Sequence, residues 1–119
     1  MPAHVSIRDV VEPARPGTVH VERRDGPAAA ATPPLVLIGG MTQTLSSWGG
    51  QLRPLSATRP VLAYEARGQG ATDLSLTRAN FAAHVDDFEA LLAALDVRGP
   101  VDVAGFSFGA RLALSVAAA

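Results

Sequence analysis

The stretch from Val101 to Ala113 constrains this chain more than any other. It runs as a short β-branched strand, a tight turn with Ser107 at its tip, and a helix rich in alanine and leucine. Gly105, Ser107 and Gly109 fit the G-x-S-x-G pattern of a nucleophile elbow. The spacing has a physical reason. A serine held clear of a sheet needs a strained turn, and glycines two residues to either side let strand and helix close in without a Cβ clash. The helix that follows aims its N-terminus at the serine, where unpaired N–H groups stabilise a developing oxyanion. A Gly/Ser turn in any α/β protein has the same spelling, so the flanking strand and helix carry the weight here.

The rest of the chain supplies a sheet for that turn. Residues 5–11 alternate loosely, Pro13 to Gly17 is expected to break them, and residues 18–23 alternate better. The two segments predict an antiparallel ribbon over residues 1–24, with His20 half-exposed on a strand and not catalytic. Ala28 to Pro34 is an Ala/Pro connector, expected to be exposed. Leu35-Val36-Leu37-Ile38 is continuously apolar, as in a parallel strand buried on both faces, and Gly39-Gly40 stops it. A Thr/Ser loop follows, then a short helix carrying Trp48, Leu52 and Leu55, capped by Ser46 or Ser47 and bent or shortened by Pro54. Residues 61–64 predict a second buried strand. Thr77 is expected to cap a helix over 78–95, in which Phe81, Val85, Phe88, Leu92 and Leu95 recur at helical spacing. The opposite face, with His84, Asp87 and Glu89, reads as solvated, and His84 as structural. Gly99-Pro100 ends that segment before the elbow strand, and a last helix runs from about Phe108 to Ala119.

Strands alternating with helices mean a three-layer α/β fold, a mostly parallel sheet with helices on its faces. A length of 119 residues implies one domain, with residues 35–119 as a βαβαβα core. Ten Arg and no Lys stand against eleven Asp+Glu, and no basic run appears beyond Arg23-Arg24, which argues against a nucleic-acid partner. Without cysteine there is no disulfide, thiolate nucleophile or Cys-based metal site. His4, His20 and His84 are scattered, so no metal site is expected. Gly68-Gln69-Gly70 invites a dinucleotide reading, but position 73 is Asp where a third glycine belongs, and no cofactor is expected. No signal-type apolar segment opens the chain and no apolar run is long enough to span a bilayer, so the expected location is cytoplasmic.

With these elements in order, the chain resembles the α/β-hydrolase family. The family usually has a His-Gly pair after its third strand, where Ile38-Gly39-Gly40-Met41 stands here with Gly39 at the histidine position. A Ser-x-x-Trp-like segment usually follows, matched by Ser46-Ser47-Trp48. After the fourth strand the family has Asp-x-Arg-Gly-x-Gly, and Glu65-Ala66-Arg67-Gly68-Gln69-Gly70 is similar, with Glu for Asp. The elbow comes next, so the resemblance covers the chain from about Thr18 onward. It implies a serine hydrolase acting on an ester or related acyl substrate, a small molecule, with Ser107 as nucleophile and the backbone N–H groups of Met41 and Phe108 as the oxyanion hole. Ser-x-Gly-Ala-Arg-Leu-Ala-Leu is also similar to the elbow of the menaquinone-pathway synthase that eliminates pyruvate, in which an arginine four residues after the serine meets a substrate carboxylate. Arg111 holds that place, although an arginine on the open face of the last helix is the favoured reading of the residue itself.

The family's triad runs Ser, then Asp or Glu, then His along the chain. None of these acids and no histidine follows Ser107 here. The usual strand order of the family is 1-2-4-3-5-6-7-8, so a chain ending after the fifth strand leaves that strand as an edge. The expectation is a truncated α/β-hydrolase fold holding strands 1–5, completed by another polypeptide or self-associating through that edge. A catalytically inactive fragment or interaction module is the remaining alternative.

Overall fold

The computed structural model describes residues 3–12, 15–27, 32–40, 43–66 and 81–118. Strand β1 (Ala3–Glu12) pairs antiparallel with β2 (Arg15–Arg24) in register from Ala3 opposite Arg24 to Glu12 opposite Arg15. Both strands outrun the alternating stretches, and the expected break does not extend to Gly17: the strand resumes at Arg15 and carries Pro16 and Gly17 within it. Cross-strand pairing holds the ladder through a proline–glycine pair that local propensity reads as a turn.

β2 then pairs antiparallel with β4 (Val61–Tyr64), which pairs parallel with β3 (Leu35–Ile38), which pairs parallel with β5 (Asp102–Gly105). The five-stranded sheet has the order β1-β2-β4-β3-β5. β1, β3, β4 and β5 therefore point one way and β2 alone the other, the mostly parallel sheet that the strand–helix alternation predicts. β5 is an edge, and Asp102 and Ala104 along it are exposed.

The two faces of β3 and β4 bury separate cores because side chains alternate along a strand. Val36, Ile38, Leu62 and Tyr64 join Val19, Val21, Phe88, Leu91 and Leu112 in the larger cluster, beneath α2 (Phe81–Ala94) and α3 (Phe108–Ala118). Leu37, Val61 and Ala63 join Leu45 and Leu52 on the other face, beneath a 3₁₀ turn (Leu45–Trp48) and α1 (Gly49–Ser56). Leu91 and Leu112 are fully buried, each stabilising by about 1.5–3 kcal/mol relative to an exposed side chain.

Two sequence expectations change here. Ser46 and Ser47 do not cap α1, because both lie inside the 3₁₀ turn and the residue at the cap of α1 is Trp48, which makes no side-chain cap bond. The face of α2 read as solvated is covered: His84 and Asp87 are buried, and only Glu89 of the three is exposed. His84 is covered by α3, whose Phe108 ring lies against the His84 ring at 5.0 Å, and Asp87 is buried near enough to β4 for its charge to reach the Tyr64 phenol. The proposed cap Thr77 lies outside the described residues. Among the described residues no helix is long and apolar enough to cross a membrane.

Candidate functional site

The parallel strands end at the same side of the sheet, where β5 turns into α3. Ser107 sits at that turn with φ 58°, a left-handed conformation that costs a non-glycine residue about 1–3 kcal/mol. The turn is closed by Gly109 N–H donating to Phe106 O at 2.9 Å and Arg111 N–H donating to Ser107 O at 3.2 Å. Phe106 N–H continues the β3–β5 ladder by donating to Ile38 O at 3.1 Å. Ser107 is exposed, so its hydroxyl meets solvent at the C-terminal edge of the sheet.

Both flanking glycines are demanded by close approach. A Cβ on Gly105 would overlap the Gly109 carbonyl, and one on Gly109 would overlap the Ile38 carbonyl. Strand, turn and helix are thus packed backbone against backbone, and that packing over-determines the strained Ser107. Phe108 opens α3, so its N–H is among those that the helix's own ladder leaves without an acceptor. Its side chain points away from the sheet edge into a ring cluster, stacked on Phe81 at 5.6 Å and edge-on to His84 at 5.0 Å.

The loop after β3 lies beside the elbow. A Cβ on Gly40 would come within 3.3 Å of the Phe106 ring. Gly40 N–H donates to Gln43 Oε1 at 2.7 Å and Gln43 N–H returns a bond to Gly40 O at 3.1 Å. The Gln43 side chain explains Gly39, since its Oε1 lies 3.0 Å from where a Cβ on that glycine would stand. Met41, the second oxyanion-hole candidate, lies outside the described residues, as do Arg67 to Gly70. Arg111 is exposed one helical turn beyond Ser107, and its guanidinium carbon stands 4.5 Å over the Phe81 ring, an arrangement of the cation–π kind.

Among the described residues, no hydrogen bond joins His20 or His84 to Ser107. His84 faces the ring cluster between α2 and α3. His20 is on β2, three strand positions from β5, about 14 Å at the usual spacing between strands. It is half-buried and its Nδ1 lies 3.0 Å from Glu65 Oε1. Glu65, which the sequence offers only as the acid of a family motif, holds a role between elements. The residue is 5% exposed, and its Oε2 accepts a bond from Leu45 N–H at 3.0 Å. The signal was a carboxylate directly after a continuously apolar strand, a place where burial demands partners.

A cavity of about 200 Å³ lies at the opposite end of the strands, lined by Arg23, Pro34, Pro60, Leu62, Val97 and Arg98 among others, and it does not adjoin the elbow.

A family model described as the alpha/beta hydrolase fold matches residues 33–119. Among curated proteins, the chain is 30% identical over 112 residues to the uncharacterized protein Rv2715 of Mycobacterium tuberculosis, covering 93% of this chain and 33% of that one. Among solved structures, Cfl2 from Burkholderia cenocepacia is similar with a TM-score of 0.83 at 20% identity, covering 98% of this chain and 37% of that one. The enol-lactonase from Burkholderia xenovorans LB400 has a TM-score of 0.76 at 25% identity, covering 86% of this chain and 38% of that one. The chain spans about a third of the length of the curated relatives it matches.

Proposed function

Because the chain belongs to the α/β-hydrolase fold family, we propose that it carries the nucleophile end of a serine hydrolase acting on an ester, open or cyclic. The observation that carries this reading is Ser107, an exposed serine in left-handed backbone at the junction of β5 and the N-terminus of α3. The likeness to an enol-lactonase favours an ester carbonyl as the electrophile.

In this reading Ser107 Oγ attacks the carbonyl carbon and passes its proton to a histidine base, while the carbonyl π pair moves onto oxygen. The Phe108 N–H, backed by the α3 dipole, and the Met41 N–H receive that oxyanion. Collapse breaks the acyl–oxygen bond, and the histidinium protonates the departing alkoxide. Water, deprotonated by the same histidine, then hydrolyses the acyl–Ser107 ester. No histidine, Asp or Glu follows Ser107 in these 119 residues, so the base and its acid come from polypeptide outside them.

The pyruvate-eliminating alternative needs the Arg111 guanidinium at a substrate carboxylate, and the position of that group over the Phe81 ring favours a packing role instead. The test is labelling with a fluorophosphonate, using protein expressed from its own coding frame. Wild type is expected to take up the probe and Ser107→Ala to lose it. Equal labelling of the two, or none of wild type, returns the chain to the class of inactive fragments and interaction modules.

A further inference from the structure

A carboxylate is costly to bury unless its oxygens are paired with donors. Glu65, just past β4, is buried with both oxygens engaged, and among the described residues its donors come from distant parts of the chain. Leu45 N–H opens the 3₁₀ turn that ends the β3–α1 loop, and its residue packs in the core with Leu37 and Leu52. The N-terminal donors of a helical turn lack internal acceptors. The residue at the cap, Thr44, makes no side-chain cap bond and its hydroxyl pairs with Ser46 Oγ instead. Glu65 therefore supplies from the end of another strand the cap that the local sequence omits, with a charge of the sign that end favours.

The other oxygen is held by β2. With a carboxylate as acceptor, His20 Nδ1 donates, and His20 O accepts the Glu65 N–H at 3.1 Å. One strand thus grips Glu65 by main chain and side chain, which sets the rotamer that reaches Leu45. From the other end, the same loop is pinned by Gln43 to Gly40, beside Phe106 of the elbow.

We propose that Glu65 is a positioning residue for the β3–α1 loop, with His20 holding its carboxylate in place, so that a strand remote from the elbow sets the geometry of the oxyanion side of the site. This rests on the reading that the loop supplies an oxyanion donor, and the experiment separates the two. Amide exchange at Leu45 reports the tie, and the rate of fluorophosphonate uptake at Ser107 reports its consequence, both in protein from the native coding frame. In Glu65→Ala the Leu45 amide is expected to exchange about 10- to 100-fold faster, the factor for losing a charge-assisted bond. Uptake should slow by about 10- to 100-fold, as for a displaced oxyanion donor, while the Leu91 and Leu112 amides keep their protection. Glu65→Gln retains an acceptor and should recover most of both effects, and it serves where the alanine variant folds poorly. His20→Ala should fall between the two. Unchanged Leu45 exchange in Glu65→Ala overturns the tie. Loss of protection at Leu91 and Leu112 alike, or faster Leu45 exchange with unchanged uptake, overturns the positioning role. An unlabelled wild type whose Leu45 amide is protected overturns the hydrolase reading and the role built on it, and leaves the tie standing.

Discussion

At the scale of single residues, two side chains sit in states that their surroundings must impose. Ser107 holds a positive φ because Gly105 and Gly109 let strand and helix close around it. Tyr64 ends β4 in the larger core, with its ring near Phe88 and its hydroxyl buried without a hydrogen-bond partner among the described residues. An unpaired buried hydroxyl costs about 1–3 kcal/mol, so Tyr64→Phe is expected to raise stability by about 1 kcal/mol in urea unfolding. Burial first, and the Asp87 carboxylate second, push the phenol above its ordinary value of 10.0. The sign follows from linkage: the folded state holds this proton more tightly than the unfolded chain, so its stabilising effect is whole below about pH 10 and is lost as pH rises beyond. Unfolding free energies measured from pH 8 upward should show that alkaline decline in wild type and a shallower one in Tyr64→Phe.

The elements meet where backbone touches backbone. α3 approaches β3 so closely at Gly109 that a single methyl group has nowhere to go but into the Ile38 and Gly39 carbonyls, neither of which is a flexible side chain. Gly109→Ala is therefore expected to destabilise by about 3 kcal/mol, the upper end of ordinary overpacking. Gly50 in α1 is the matched control, because a Cβ there meets nothing within 4 Å. Gly50→Ala should stabilise by up to about 1 kcal/mol, the helix propensity difference. Thermal melts of the two variants should move in opposite directions, and a shared direction would contradict the steric account of the elbow.

Over the whole molecule, the strand order puts β5 at an edge and leaves apolar groups in solvent beside it. Phe106 is 58% exposed and Leu114 on α3 is 74% exposed, with Ala104 exposed on the strand itself. An unpaired edge flanked by apolar side chains is a template for another strand. Residues 1–119 expressed by themselves are expected to elute from size exclusion as dimers or larger species, shifting toward monomer in Phe106→Ser with Leu114→Ser. A monodisperse wild-type monomer with one sharp thermal transition would count against association through that edge.

Much of this was legible along the chain because it is local. The burial of Leu35 to Ile38 and Val61 to Tyr64 on both faces, the helical recurrence of Phe81, Phe88 and Leu95, and the strand–turn–helix around Ser107 all follow from side-chain type and direction within one element. The Gly105 and Gly109 spacing was readable for the same reason, since the turn they permit spans a few residues. What tertiary structure decided lies between elements. His84 and Asp87 are polar yet buried, His84 against the Phe108 ring of α3 and Asp87 near enough to β4 for its charge to reach the Tyr64 phenol, and the sequence of one helix carries no record of the elements packed on it. Gln43 filling the space beside Gly39, and Glu65 reaching Leu45 and His20 across separations of 20 and 45 residues, depend on which strands become neighbours. A sequence determines which faces must be buried; only the folded sheet decides which distant polar groups are then brought close enough to satisfy one another.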